Sequence, residues 1–362
     1  MDENMILEKQ YENIMGEEDF SGIMEEASRL TEGLSDSYTM DRIFQSVLSG
    51  EGIFDSGVAI EGLKSLFLYE IQNALILMVE ILSICVILGL LHSLSDGFGS
   101  KSISKMSVLV CTMVIIGISI NSLRISWQLA LDAVSAMVWT MEILTPVLLG
   151  ILLATGSIAS GSVLSPLILG AVTGFSVLVK SIVLPALYLS AVLSLLNCLT
   201  EKNYVNKLAK LLRSVAVLLT GLILAVLTGI ITIQGLLTDA SDTVLMNATK
   251  YSLSTFIPIV GGFTSDTVDL YLRCMHAVKN TAGVFGLLML LLMMFVPLAK
   301  ILIVAGVYKL TGALMEPISE GKAADGVNDM GNAMVSMASI VFFTCLLFIL
   351  FLAGILHVGG NL

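Results

Sequence analysis

The chain has 362 residues, of which 56% are hydrophobic and 13% are charged. Soluble globular domains average about 45–50% apolar and about 25% charged residues. The apolar excess is too large for a soluble core to bury, so it excludes an ordinary soluble protein and predicts a polytopic, all-α membrane protein in a lipid bilayer.

The first segment of the chain is acidic. The formal net charge of −11 arises within residues 1–64, which contain 15 acidic and 4 basic side chains. Such a segment is repelled by nucleic acid and by anionic lipid, so nucleic-acid binding is excluded. Residues 1–65 are predicted to form an acidic N-terminal tail with short amphipathic helices, and residues 66–362 a transmembrane helical domain.

The apolar runs after residue 65 are long enough to cross a bilayer. A helix needs about 20 residues to span the hydrocarbon core of about 30 Å. By this measure nine crossings are predicted, at residues 66–91, 104–122, 126–156, 163–180, 182–199, 214–237, 281–298, 300–318 and 334–356.

Two pairs of these crossings are predicted to be tight hairpins. The first pair is interrupted at Lys180 and Pro185, and the second at Pro297 and Lys300. Each pair is followed by a polar loop and one more helix, which gives candidate repeat units at 163–237 and 281–356. In a nine-crossing path the two units would be inverted, as in many secondary transporters. Chance similarity between hydrophobic hairpins is the alternative.

The basic loops predict the orientation. Residues 92–105 contain Lys101 and Lys105, and residues 200–213 contain four basic side chains. Basic residues in short loops prefer the cytoplasmic side. With both loops inside, nine crossings place the N-terminus outside and the C-terminus in the cytoplasm.

The segment from Phe256 to Asp266, FIPIVGGFTSD, is too short to span and too apolar for an ordinary loop. It combines Pro258 with the adjacent Gly261 and Gly262. Irregular backbone at membrane depth must be buried in protein or line an aqueous cavity. We expect a re-entrant segment near 256–266, with a turn on the membrane surface as the alternative.

Charged side chains inside the apolar runs are candidate pore or structural residues. Glu80 and Glu142 lie within predicted crossings, and Glu142 is four residues before Pro146. A charge at the bilayer centre costs about 2.5–3.5 kcal/mol on insertion scales, so it should face protein or water. An ion pathway and a buried hydrogen bond both fit these carboxylates, whereas Lys300 can extend to the membrane surface.

No residue pattern predicts an enzyme. The five cysteines form no CxxC, the three histidines are far apart in sequence, and no HExxH, GxSxG or GxxxxGK[ST] string is present. We therefore expect no catalytic residues, no metal site and no cofactor.

Four strings in the membrane domain resemble a known family. They are KSISKMS at Lys101–Ser107, LTPVLLGILLATG at Leu144–Gly156, STFIPIVGGFTSD at Ser254–Asp266 and AKILIVAGVYKLTGALMEPI at Ala299–Ile318. With the acidic tail, they are similar to the stage III sporulation protein AE family.

The resemblance implies a multi-pass protein of the mother-cell membrane that faces the forespore during endospore formation. It implies a channel or secretion-like complex with the other stage III A operon proteins and a forespore membrane partner, needed for forespore maintenance and late development. The alternative is an autonomous secondary transporter with an intramembrane carboxylate pathway. Whether the chain also forms a homo-oligomer is left open.

Overall fold

The computed structural model describes most of the membrane domain and a few positions of the acidic tail. The described residues are 21, 22, 25, 28, 29, 68, 70–87, 89–90, 101–154, 170–199, 205–229, 261–317 and 322–357. Every element in this part of the chain is helical, which agrees with the predicted all-α fold.

Six helices in the described residues are long and apolar enough to cross a membrane. They are α1 (Glu70–Ile87), α2 (Lys101–Ala154), α3 (Gly170–Asn197), α4 (Asn206–Gly229), α5 (Gly261–Met315) and α6 (Lys322–His357). The predicted count of nine is not confirmed. Helix α2 joins the second and third predicted crossings, α3 joins the described parts of the fourth and fifth, and α5 joins the seventh and eighth.

The predicted hairpins are not confirmed because helices continue through the prolines that suggested breaks. Pro146 lies inside α2 and Pro297 inside α5. In α3 the residues before Pro185 widen into a π-helical turn, Val179–Val183. A proline has no N–H to donate and its ring crowds the carbonyl four residues earlier, so one wider turn accommodates it without reversing the chain.

The glycines of the predicted re-entrant segment begin a regular helix. Gly261 and Gly262 are the first two residues of α5. The first N–H groups of any helix have no intrahelical partner, so glycines at this position interrupt nothing. Pro258 and the other residues of 256–260 lie outside the described residues, where the re-entrant segment stays a prediction.

Helix α6 lies at the centre of the bundle and packs against α2, α3 and α5. Its buried side chains include Met334, Phe348 and Phe351, each no more than 1% exposed. The ring of Phe348 meets Phe175 of α3 edge-on, with the ring centroids 6.2 Å apart. By contrast, α1 and α4 bury few of their side chains inside the bundle, as expected of helices that face lipid.

Four buried threonines bond to carbonyls of their own helix. Thr140, Thr220, Thr311 and Thr344 each donate to the carbonyl oxygen four residues earlier, at distances of 2.7–2.9 Å. This bond lets a polar side chain lie in an apolar interior without an unpaired donor. Such threonines therefore need no partner helix to satisfy them.

Contacts between helices give their directions. Cys198, just after α3, bonds to Lys322 at the start of α6, and Gly312 near the end of α5 lies against Asn328 of α6. The ends of α3 and α5 therefore lie at the same end of the bundle, so these two helices run parallel. Without hairpins the candidate repeat units contain two long helices each, and the inverted arrangement inferred from three crossings loses its basis.

Helices α5 and α6 approach closely at glycines. A Cβ atom on Gly331 of α6 would lie 3.0 Å from the carbonyl oxygen of Ala305 and 3.2 Å from the backbone nitrogen of Lys309. These neighbours are backbone atoms of α5, which cannot rotate away as a side chain can. The short distance between the helices therefore depends on glycine, as in other membrane helix pairs.

We expect Gly331→Ala to lower the free energy of unfolding of the detergent-purified protein by about 1–3 kcal/mol, because the added methyl group forces α5 and α6 apart. Its melting temperature should fall accordingly. The matched control is Gly306→Ala in α5, where no atom lies within 4 Å of the added Cβ. This control should be neutral or slightly stabilising because alanine favours a helix over glycine. Equal melting temperatures for the two variants would contradict the close contact.

Candidate functional site

The structure does not bring the predicted site residues together. Glu80 is exposed on α1, and Glu142 and Pro146 are exposed on α2. Lys300 is half-buried in the middle of α5, three residues after Pro297, and so does not lie in a hairpin turn. The two carboxylates lie on the outside of the bundle, not along a path through its interior.

Glu142 faces the π-helical turn of α3. Its carboxylate is near enough to the half-buried Lys180 ammonium to act on it electrostatically. The π-helical turn that precedes Pro185 contains Lys180, and such turns occur often at functional sites. Opposite charges within one membrane domain reduce each other's cost of insertion. This attraction acts between α2 and α3, in the half of the bundle where the sequence predicted a hairpin.

Glu80 lies in an open groove on the surface of α1. The groove has a volume of about 570 Å³ and is lined by apolar side chains of α1, by Ile118 of α2, and by the polar Glu80 and Ser83. Ser83 donates to the carbonyl oxygen of Val79 at 2.7 Å, which satisfies its hydroxyl group. The carboxylate of Glu80 is thus the charged group of this groove, which we call the Glu80 groove.

A polar contact ties α4 to α6. Arg213 of α4 places one guanidinium nitrogen 3.7 Å from the Asp329 carboxylate, and a second nitrogen donates to the Asp329 carbonyl oxygen at 2.9 Å. The two side chains are only 14% and 17% exposed. A forked guanidinium can reach both acceptors of one residue, which a lysine ammonium cannot do with the same geometry.

Cys198 closes the same end of the bundle. Its thiol donates to the carbonyl oxygens of Lys322, at 3.2 Å, and Ser194, at 3.5 Å, and Gly326 packs directly against its sulfur. Burial, with smaller contributions from Asp329 and Asp325, raises the pKa of the Cys198 thiol to about 11. The thiol therefore stays protonated at neutral pH, where it acts as a packed hydrogen-bond donor and not as a nucleophile.

A buried lysine joins α5 to α6 at the opposite end of the bundle. Lys279 of α5 is 1% exposed, and its ammonium group donates to the carbonyl oxygen of Leu356 at 3.0 Å. Leu356 lies in the last turn of α6, where carbonyls have no intrahelical donor and the helix dipole favours a cation. Lys279 therefore caps α6 from a neighbouring helix.

The sequence did not predict these residues whose polar contacts join one helix to another. Arg213 was visible only as one charge of a basic loop, and Asp329 lies 116 residues away in the chain. No spacing rule connects residues so distant, because their contact exists only when α4 packs on α6. Lys279 offered a weak signal, namely a lysine at the start of a long apolar run.

The described residues contain no group of three or more histidine, cysteine, aspartate or glutamate side chains that could hold a metal ion. Their polar contacts join helices to one another. Together with the six long apolar helices, this arrangement defines a polytopic helical membrane protein whose polar groups organise the bundle.

Comparison with known proteins identifies the family. The sequence profile of the stage III sporulation protein AE family matches residues 38–359, so the chain belongs to that family, as its four strings suggested. Stage III sporulation protein AE of Bacillus subtilis (strain 168) is 28% identical over 303 residues, which cover 83% of this chain and 76% of the relative. No solved structure matches this chain.

The raised pKa of Cys198 predicts slow alkylation. At pH 8 a thiol with a pKa of about 11 has about a hundredfold less thiolate than one with the ordinary value of 9.0. The modification rate of Cys198, followed by mass spectrometry of the purified protein, should therefore rise only as the pH approaches 11. The control is Lys210→Cys, at an exposed position of α4. Equal rates for the two thiols at pH 8 would contradict the buried, hydrogen-bonded arrangement.

Proposed function

We propose that this chain is a non-enzymatic membrane subunit of a channel or secretion-like complex that links the mother cell and the forespore. Its partners in this proposal are the other stage III A operon proteins and a forespore membrane protein. The complex maintains the forespore and supports its late development. Membership of the stage III sporulation protein AE family carries the proposal.

The packing of the bundle favours a subunit over an autonomous transporter. Large apolar side chains of α6, including Met337, Phe351 and Ile355, are at most 1% exposed and fill the described interior. A secondary transporter with a carboxylate pathway needs its titrating groups in the interior or in an aqueous cavity. Glu80 and Glu142 lie on the outer surface instead.

We propose the mother-cell membrane as the location, with the basic end of the bundle in the cytoplasm. Helix α2 begins at Lys101, and its contacts with α5 run antiparallel, from Met293 with Thr140 to Gly286 with Leu144. The start of α2 therefore lies at the same end as Arg213 of α4. This grouping of basic segments favours one cytoplasmic end.

The six-helix path changes the proposed position of the C-terminus. If each of the six helices in the described residues crosses once and the other residues add no crossing, the acidic N-terminal tail and the C-terminus lie on the same, extracytoplasmic side. The earlier expectation of a cytoplasmic C-terminus depended on an odd number of crossings.

Cysteine labelling of intact cells tests this topology. A membrane-impermeant thiol reagent should modify Leu30→Cys and Leu362→Cys, because both lie outside, and should leave Lys207→Cys unmodified until the cells are opened. Each variant is compared with the parent chain to subtract its native cysteines. Protection of position 362 together with reaction at position 30 would restore an odd number of crossings.

A glutamine substitution at Glu142 distinguishes the subunit hypothesis from the transporter hypothesis. If Glu142 only supports the contact with α3, Glu142→Gln should leave spore yield and co-purification with partner proteins close to normal, because the attraction of an exposed carboxylate for Lys180 contributes little to stability. Glu142→Leu also removes the polar group and should lower the recovery of the complex more than Glu142→Gln. Loss of spores in Glu142→Gln with an intact complex would favour proton-coupled transport, since glutamine cannot exchange a proton.

A further inference from the structure

We propose that two copies of this chain associate through the Glu80 groove, with Glu80 of each copy paired with Arg124 of the other. The inference concerns the chain by itself and does not depend on the proposed role in sporulation. It rests on two complementary surfaces that lie at the same level of neighbouring helices, and on buried polar groups behind one of them.

The first surface is the Glu80 groove. The groove is open and apolar, and within the described residues no hydrogen bond or ion pair reaches the Glu80 carboxylate. Glu80 lies near the middle of an apolar helix, ten residues after the start of α1. A short carboxylate side chain there cannot extend to the membrane surface as a lysine can, so leaving it against lipid is costly.

Buried polar groups lie behind this groove. Tyr308 of α5 and Ser119 of α2 are buried, at 1% and 0% exposure, and the Tyr308 hydroxyl lies close to the hydroxyl groups of Ser119 and Ser122. The Glu80 carboxylate is near enough to Tyr308 to act on it. Polar groups of α1, α2 and α5 therefore lie near one another on this side of the bundle.

The second surface is a polar stripe on the outer face of α2. Gly117, Asn121, Arg124 and Gln128 follow one another at intervals of four, three and four residues, which places them on one helix face. All four are exposed, and no atom lies within 4 Å of the space above Gly117. Gln128 donates to Asp132 at 2.9 Å, but no hydrogen bond or ion pair joins Asn121 or Arg124 to another described residue.

The two surfaces lie at the same level of the bundle. Glu80 of α1 and Ile118 of α2 line the same groove, and Arg124 follows Ile118 by six residues, about 9 Å along the helix axis. The long arginine side chain and the glutamate side chain together cover that distance. In a dimer with a two-fold axis along the membrane normal, each residue lies at the same depth in the membrane in both copies. When Arg124 of one copy pairs with Glu80 of the other, symmetry therefore forms the second, reciprocal pair as well.

Polar side chains are the groups that join helices within a membrane, where apolar surface alone gives no preference for protein over lipid. The paired carboxylate and guanidinium neutralise each other, and Gly117 allows a close approach of the neighbouring backbone. The described part of one chain contains both the carboxylate and the guanidinium of this contact. A second copy of the chain is therefore the partner whose charges match the groove.

Charge exchange tests the contact in the full chain, purified in mild detergent and analysed by native mass spectrometry. The parent protein should be dimeric. Glu80→Arg and Arg124→Glu should each shift the protein to monomers, and the double variant should restore the dimer because the pair forms with exchanged signs. Glu316→Arg, at an exposed carboxylate after α5, is the matched control and should stay dimeric.

Cross-linking provides a second measurement that does not require a charge to be reversed. Two differently tagged copies, one with Glu80→Cys and one with Arg124→Cys, are expressed together and treated with a bifunctional thiol reagent whose spacer matches a glutamate–arginine pair, because the two backbones are too far apart for a disulfide. We expect a mixed dimer, and none when Arg124→Cys is replaced by Leu218→Cys, at an exposed position of α4. A monomeric parent, a double variant that stays monomeric while its melting temperature is normal, or equal cross-linking at position 218 would each overturn the proposal.

Discussion

The absence of water from the bilayer core is the constraint on which this structure depends. Every backbone N–H and C=O group in that region must find a partner inside the helix. Breaking a helix at a proline would expose several such groups, whereas continuing it loses one hydrogen bond and crowds one carbonyl. Pro146 and Pro297 are therefore absorbed within α2 and α5, and Pro185 by a π-helical turn. In the part of the chain that the structure describes, six long helices in place of shorter predicted crossings follow from this balance.

Long helices create a second requirement, because their ends and their contacts must be specified without a hydrophobic preference for protein over lipid. The structure meets it with glycines along α5 and α6 and with polar contacts at the two ends of α6. At one end Cys198 and Arg213 bond to the first turns of α6, and at the other Lys279 bonds to its last turn. These bonds at its two ends hold α6 at the centre of the bundle and fix its position along the helix axis.

In this organisation several charged side chains within the long helices lie on the outer surface of the bundle. The centre of the bundle is filled by apolar side chains, while the carboxylates of Glu80 and Glu142 and the guanidinium of Arg124 lie outside. A membrane protein that faced only lipid would gain nothing from charges in such places. Their distribution supports the proposal that this chain makes contacts with other chains, or with a second copy, within the membrane.

The sequence by itself determined the class of protein, because an apolar excess of this size leaves only the bilayer as solvent. It also determined the family, through four strings that the family comparison confirmed, and the positions of the apolar runs. What it could not decide was where the chain reverses, because a proline or lysine in an apolar run fits both a turn and a bent helix. Only tertiary packing settled that choice, since neighbouring helices supply the contacts that keep a proline-containing helix intact. The same holds for Arg213 with Asp329 and for Lys279 with α6, because such pairs depend on which helices become neighbours, and local sequence patterns contain no information about that.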